Sequence, residues 1–575
     1  MLTPSPLCRR PYQEAHMNFQ FFHDRQEAIA VSLGPSRPTA QEEKEEYINR
    51  RRPHLRLGLS LALVLGALLA GSNVALANGT TRWVNGSGTV FMPPGTSCNQ
   101  PGYLTIQLAV NAAAPYDRIN VCPGTYTEQV TIPAGKNNIQ LRSVKQWRAV
   151  IKAPQPSPAA MNAIVEVSTS QNVTILAFTI TGPGMLCTLQ YGVRVDSGGS
   201  ANILGNHITQ IRDTSLNCQS MGLKGGEAVR VGRMTEAAVG SAQVIGNVID
   251  NYERNGVTVD NAGSSAGITH NRIFGVKGSS ESQNGIQVSR GATATVRHNF
   301  VSLNVFGGPQ VVASTGILLF FPGTTPSAPL TDHNTVASND QGLYMWGSGS
   351  GTTTSHNRVR ASGFEGVVLN GATSSEVGYN KSDYNGTSGI KAFNNSNSNS
   401  VHNNKATNNG ANGILLGEGC PNPLGGPPDC LGANGNTVSQ NKISDNGTVF
   451  LAPIGSETDG IHINGPSTFN IIDSNHLRHN VTYDCADWSA GDTWTDNDGQ
   501  TQAPMPSTAV CTEDDNDSDY ADDDYGWYPN DPWYNNFDGA LSYDWVDLYA
   551  TIDTDSILGL LPQLPPVLGI PVPAE

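Results

Sequence analysis

The hydrophobic positions of this chain recur as short apolar-x-apolar triplets, each led by a glycine. Gly192-Val193-Arg194-Val195 sets the form. It returns behind Gly256, Gly285, Gly316, Gly342, Gly366, Gly389, Gly413 and Gly460, with Ala228 standing once for glycine. Between Gly342, Gly366, Gly389 and Gly413 the steps are 24, 23 and 24 residues. An asparagine follows many anchors by 14 or 15 positions, at Asn206, Asn271, Asn299, Asn357, Asn380, Asn404 and Asn475. A period of two within each triplet is a strand signal, and a period near 23 is too short for two helices per repeat. Three short strands and three turns per unit make one coil of a right-handed parallel β-helix, stacked about 4.8 Å from the next. Asparagines at one turn position of successive coils can then stack amide on amide. The L-x-x-L-x-L pattern of leucine-rich repeats is absent.

With the apolar pair of each triplet inside, the middle residue and the residue after the triplet face outward. The first outward column reads Arg194, Arg230, Thr258, Gln287, Leu318, Tyr344, Val368, Lys391, Leu415 and His462. The second includes Asp196, Asp260, Ser289, Phe320, Trp346, Asn370, Phe393 and Asn464. Flat rings can pack against sugar C–H surfaces, while charged and amide groups read hydroxyls or carboxylates. Asp196, Asp260, Gln287, Tyr344, Trp346, Lys391, Phe393 and His462 are therefore candidate contacts for an extended, acidic polysaccharide. The plainer alternative has turns such as 321–330 covering the rings and Arg194 paired with Asp196.

The segment 104–142 opens the solenoid with an amphipathic helix over 104–114, a strand over 118–122 and the turn Pro123-Gly124-Thr125-Tyr126. Together with the run Asn172-Val173-Thr174-Ile175-Leu176-Ala177-Phe178-Thr179-Ile180, it resembles the opening of the pectin-lyase-like superfamily, especially pectinesterases. The resemblance spans roughly 104–480 and implies an all-β, right-handed parallel β-helix with an N-terminal helical cap. Its members' chemistry is less well matched. The Q-D-T and D-F-I-F-G strings of pectinesterases do not occur. Calcium-dependent pectate lyases use clustered acidic ligands and an arginine base; Arg194, Arg230, Asp196, Glu227 and Asp260 match by type, as would a structural ion-pair cluster. Polygalacturonases carry N-T-D-G, then D-D. Here Glu457-Thr458-Asp459-Gly460 is followed by Tyr483-Asp484, so Asp459 and Asp484 are candidate acid and base. A turn role for Asp459 accounts for it equally. The resemblance leaves open a polysaccharide lyase, epimerase or glycoside hydrolase, and a non-catalytic adhesin, scaffold or accessory protein is the alternative.

Composition narrows the partners. In 575 residues there are 62 glycines, and the net charge is −16, so a phosphate-neutralising face for nucleic acid is not expected. A basic cluster ending at Arg56, an apolar run over 57–70 and Val74-Ala75-Leu76-Ala77 read as an export signal over 1–77, with Arg51-Arg52 resembling a twin-arginine motif. Cleavage after Ala77 would leave a monomeric secreted, surface or periplasmic protein without a membrane span; an uncleaved anchor is the alternative.

Eight further cysteines, Cys98, Cys122, Cys187, Cys218, Cys420, Cys430, Cys485 and Cys511, suggest disulfides between nearest neighbours. The expected order is a linker over 78–103, the β-helix over 104–482, a disulfide-closed cap over 483–512 and an acidic, aromatic and Leu/Pro-rich tail over 513–575. Within the tail, Asp515, Asp517 and Asp519 alternate as at the start of a calcium loop. Tyr520 stands where glycine belongs and Gly526 where glutamate belongs, leaving a weak Ca²⁺ site or a solvated linker.

Overall fold

The computed structural model describes residues 79–154, 163–185, 188–213, 225–308, 312–417, 431–447, 457–504 and 507–513. The export segment, the acidic tail with Asp515, Asp517 and Asp519, and Cys187, Cys218, Cys420 and Cys430 lie outside these residues. Strands fall into three long parallel sheets of 15, 14 and 13 members, and each sheet takes every third strand of the regular coils in chain order. This is a three-sided parallel β-helix. In the 13-stranded sheet the inward positions Val193, Val229, Val257, Ile286, Ile317, Leu343, Val367, Ile390, Ile414 and Ile461 are all fully buried. They stand in register from coil to coil. The anchor glycines lie where the wall closes on the core. A Cβ on Gly342 would sit 2.2 Å from Val359 Cγ1 and 2.4 Å from the carbonyl oxygen of Gly366.

The asparagine ladder is longer than the sequence repeat indicated. Asn206, Asn247, Asn271, Asn299, Asn334, Asn357, Asn380, Asn404, Asn441, Asn475 and Asn497 form one chain, each Nδ2 donating to the next Oδ1 at 2.9–3.1 Å. Two further ladders run at the other corners. Asn385, Asn409, Asn446 and Asn480 end on Asp484, and Asn399, Asn436 and Asn470 end on Asp492. Each amide also satisfies backbone groups, so these buried side chains stitch turns that the β-ladders leave unpaired.

Both ends differ from the boundaries expected. The opening helix is Ile106–Ala112, shorter than 104–114. Thr105 caps it by accepting from Leu108 N, and Glu128 accepts from the Ile106 and Gln107 amides at 2.9 Å each. Extended backbone at the C-cap Ala113 ends it, and Pro115, which cannot continue a helix, follows two residues later. The segment 78–103 is not a linker: Thr81–Val84 is the first strand of the 15-stranded sheet, and Cys98 is disulfide-bonded to Cys122. At the other end the described residues of the disulfide-closed segment add a further coil. Cys485–Asp487, Thr493–Thr495 and Asp498–Gly499 each extend one of the three sheets, and Cys485 is bonded to Cys511. Among the described residues no helix is long and apolar enough to cross a membrane.

Candidate functional site

The outer face of the 13-stranded sheet carries the columns read from the triplets. Strand register stacks Arg194, Arg230, Thr258, Gln287, Leu318, Tyr344, Val368, Lys391, Leu415 and His462. It also stacks Asp260, Ser289, Phe320, Trp346, Asn370 and Phe393. Because the glycine and the residue after it both face the core, a third outward column appears three positions earlier. Tyr191, Glu227, Asn255, Asn284, Thr315 and Gln341 belong to it. Members of this column reach the middle residue of their own strand, as Glu227 reaches Arg230 and Asp459 reaches His462.

At the N-terminal end the outward residues are not exposed to solvent, contrary to the simple alternation. Arg194, Asp196, Glu227, Arg230, Arg233 and Asp260 are all buried. Arg230 donates to Glu227 at 2.8 and 3.1 Å, to Asp260, and to the Gly232 carbonyl at 2.9 Å. Arg194 pairs with Glu166 and lies 3.3 Å from Asp196, which also holds Arg233 at 2.6 Å. Asp260 accepts from Arg290 at 2.7 Å and from Ser289 at 2.9 Å. Four guanidinium groups thus face four carboxylates. Burial alone would lower the Arg230 pKa, but Glu227 and Asp260 outweigh it and hold it above its ordinary value. Burial pushes Asp260 up, and Arg290 and Arg230 more than reverse that. The cluster is an internally neutral lattice in which Arg230 is held in its charged form.

The middle of the face is open. Trp346 is 43% exposed and Phe321 50%, so the turn after Phe320 does not cover the rings. Phe320 meets Trp346 edge-on at 5.3 Å and Phe321 at 4.9 Å, and Tyr344 lies 6.1 Å from Trp346. Asn370 donates to the Tyr344 hydroxyl at 2.8 Å, and Lys391 Nζ sits 4.7 Å from the Phe393 ring centre. Glu365, which the triplets did not single out, accepts from Gln341 at 2.8 Å and lies 3.5 Å from Lys391. It immediately precedes the anchor Gly366, a slot whose chemistry varies from coil to coil. Gln287, one coil N-terminal to Leu318, accepts from Asn255 and Asn284 at 3.1 Å.

At the C-terminal end His462 is buried between carboxylates. Its Nδ1 is 2.6 Å from Asp459 Oδ2, and its Nε2 is 3.2 Å from Glu457 and 3.1 Å from Asn464. Burial pulls its pKa down, but Asp459 and Glu457 outweigh that and leave it raised. Asp459 accepts from the Tyr483 amide at 2.9 Å, next to Asp484 in the chain. Asp484 ends an asparagine ladder, accepting from Asn480 at 2.8 Å and from the Gln500 and Thr501 amides at 2.9 and 3.1 Å. Arg233 and Arg290 also escaped the sequence reading, because both lie in turns just past the triplets.

The family model described as "Right handed beta helix region" matches residues 321–426. The chain folds as a right-handed parallel β-helix. Solved structures similar to this β-helix protein include the periplasmic alginate epimerase AlgG, 11% identical over 66% of this chain and 77% of that one, with a TM-score of 0.33. The A-module of the mannuronan C-5 epimerase AlgE4 of Azotobacter vinelandii is 12% identical over 69% and 94%, with a TM-score of 0.37. The GH136 lacto-N-biosidase of Eubacterium ramulus is 12% identical over 68% of each chain, with a TM-score of 0.41. No curated protein sequence matches the chain.

Proposed function

We propose that this face binds an extended polysaccharide and does so without breaking it. The observation that carries the reading is the ring cluster of Phe320, Phe321, Tyr344 and Trp346, in which Phe321 and Trp346 are exposed and Phe320 and Tyr344 partly buried, set on a rigid sheet between amide and charged side chains. Coils repeat about every 4.8 Å along the axis, comparable with one sugar unit of an extended polymer, so successive coils can meet successive units. Ring faces take the C–H surfaces, and Asn370, Gln341 and Gln287 offer amides to hydroxyls.

The cations on the face are matched: Lys391 lies against Glu365, and Arg290 against Asp260. That balance favours a neutral or sparsely charged glycan over the densely acidic polymer expected from the columns alone. The groups nominated for catalysis are likewise engaged: Arg230 between two carboxylates, Asp459 on His462, and Asp484 in its turn. Two disulfides support export to an oxidising compartment.

The test is titration calorimetry of the exported form with neutral glucans, pectate, homogalacturonan and alginate, alongside assays for reducing ends and unsaturated uronate. Saturable binding of a neutral polymer, weakened in Trp346→Ala and without product, is the expected result. Product from any polymer, lost in Arg230→Ala or Asp459→Asn, would overturn the non-catalytic reading. Binding untouched by Trp346→Ala would overturn the ring-platform reading.

A further inference from the structure

A second column of chemistry lies away from this face, at the corner that follows the 15-stranded sheet. The residue before each ladder asparagine turns the corner in the left-handed region, with φ of 56° at His270, 52° at His298, 53° at His333, 52° at His356 and 58° at Tyr379. Identical backbone in successive coils sends these side chains the same way. The rings therefore stack, at 5.0 Å from His270 to His298, 5.3 Å to His333, 4.7 Å to His356 and 5.0 Å to Tyr379. Corner turning explains the stack but does not call for imidazole, since tyrosine occupies the same slot at Tyr379.

Beside the stack stands Asp332, which is buried. Its Oδ2 is held by Arg297 at 2.7 and 3.0 Å. Its Oδ1 faces the stack, 2.9 Å from His333 Nδ1 and 3.3 Å from His356 Nδ1, and accepts from Ser355 at 3.0 Å. All three ligand atoms lie within 4.8 Å of one another. Metal–nitrogen and metal–oxygen bonds of about 2.0–2.2 Å in a tetrahedron set neighbouring ligand atoms roughly 3.3 Å apart, so the two carboxylate–imidazole distances already suit a shared ion. We propose that Asp332, His333 and His356 bind one borderline divalent transition-metal ion, of the class of Zn²⁺ or Ni²⁺. Two imidazoles and a carboxylate suit those ions, whereas Ca²⁺ and Mg²⁺ require oxygen-rich shells. Arg297 and Ser355 would orient the carboxylate from behind, as outer partners of metal ligands do. The rings of His333 and His356 lie parallel within 6°, so one must turn to aim its nitrogen at a shared ion. His356, 47% exposed at its side chain but stacked between His333 and Tyr379, is the ring that would turn, at the cost of its stack on Tyr379. Water would complete the shell on that open side.

The test is equilibrium dialysis of the full chain against Ni²⁺ and Zn²⁺ in an excess of Mg²⁺, which suppresses binding by carboxylates alone. Co²⁺ substitution would be followed by its visible absorption bands. One equivalent is expected to bind, with the bands of a mixed nitrogen–oxygen shell. Losing a ligand costs at least what losing an outer partner does, about 10–100-fold in affinity. His356→Ala is the decisive variant because its side chain is half exposed, so circular dichroism is expected to show an unchanged fold. His333→Ala is expected to repeat the loss. Retained affinity in His356→Ala, or binding that Mg²⁺ abolishes, would overturn the proposal.

Discussion

The N-terminal end and the middle of the binding face occupy the same columns of the same sheet, yet they differ in kind. From Arg194 to Asp260 the charged outward positions form a buried lattice of paired charges; from Phe320 to Trp346 they carry rings, of which Trp346 is open to solvent. The backbone is equivalent in both. The difference lies in the residues the turns bring over the strands. Arg233 follows its strand back over Asp196, and Arg290 closes over Asp260. In the middle Phe321 instead extends the platform edge-on to Phe320. A solenoid face is thus a row of equivalent addresses whose chemistry depends on its turns.

The largest effect should come from breaking the lattice. Asp260→Ala strips a buried partner from Arg230 and from Arg290 together, and orphaning a buried charge typically costs about 3–5 kcal/mol. Denaturant unfolding should show that loss. The same method applied to Trp346→Ala should show little change.

Next come the stitches that both regions share. Asn380→Ala removes an amide that donates to Asn404 and accepts from Asn357, and each buried group left unpaired costs about 1–3 kcal/mol. An equal loss for Asn403→Gly, which lies beside the ladder, is only partly buried and keeps its left-handed turn, would show that the stacked amides are not special.

Trp346→Ala should reduce glycan affinity by about fivefold or more, the scale of truncating a contact worth over 1 kcal/mol, with the fold intact. Calorimetry reads this directly, and an unchanged affinity would remove the contrast between the two regions.

The smallest effect concerns pH at His462, which faces Asp459, Glu457 and Asn464. Its pKa is raised in the folded protein above 6.5. Its contribution is therefore fully present below about pH 6.5 and is lost as pH rises through the folded value. His462→Gln should flatten that part of the stability–pH curve, as seen in thermal unfolding over neutral to mildly alkaline pH. A wild-type curve already flat there would contradict a charged imidazole.

Much of this arrangement was legible in the chain. The Gly-apolar-x-apolar unit with its spaced asparagine carried the coil, and its alternation put Tyr344, Trp346, Lys391 and Phe393 on one face. It failed where a turn mattered more than a strand. Arg194, Arg230, Asp196 and Asp260 were rightly placed on the outer side, yet their burial depends on residues from turns of irregular length. The ladders through Asn409 and Asn436 were missed because their spacing shifts with each insertion. The histidine column was missed because no single coil shows it.

The sequence alone determined the local rules: which positions alternate, where a glycine must let two backbones close, and which amide recurs at a corner. These follow from backbone geometry, which is equivalent in every coil. Only the tertiary structure decided which charges meet, since Arg230 and Asp260 are 30 residues apart and Arg233 and Asp196 are 37 apart. Stacking converts those separations into contact across one or two coils, and the turn lengths that set which coil faces which carry no period to be read.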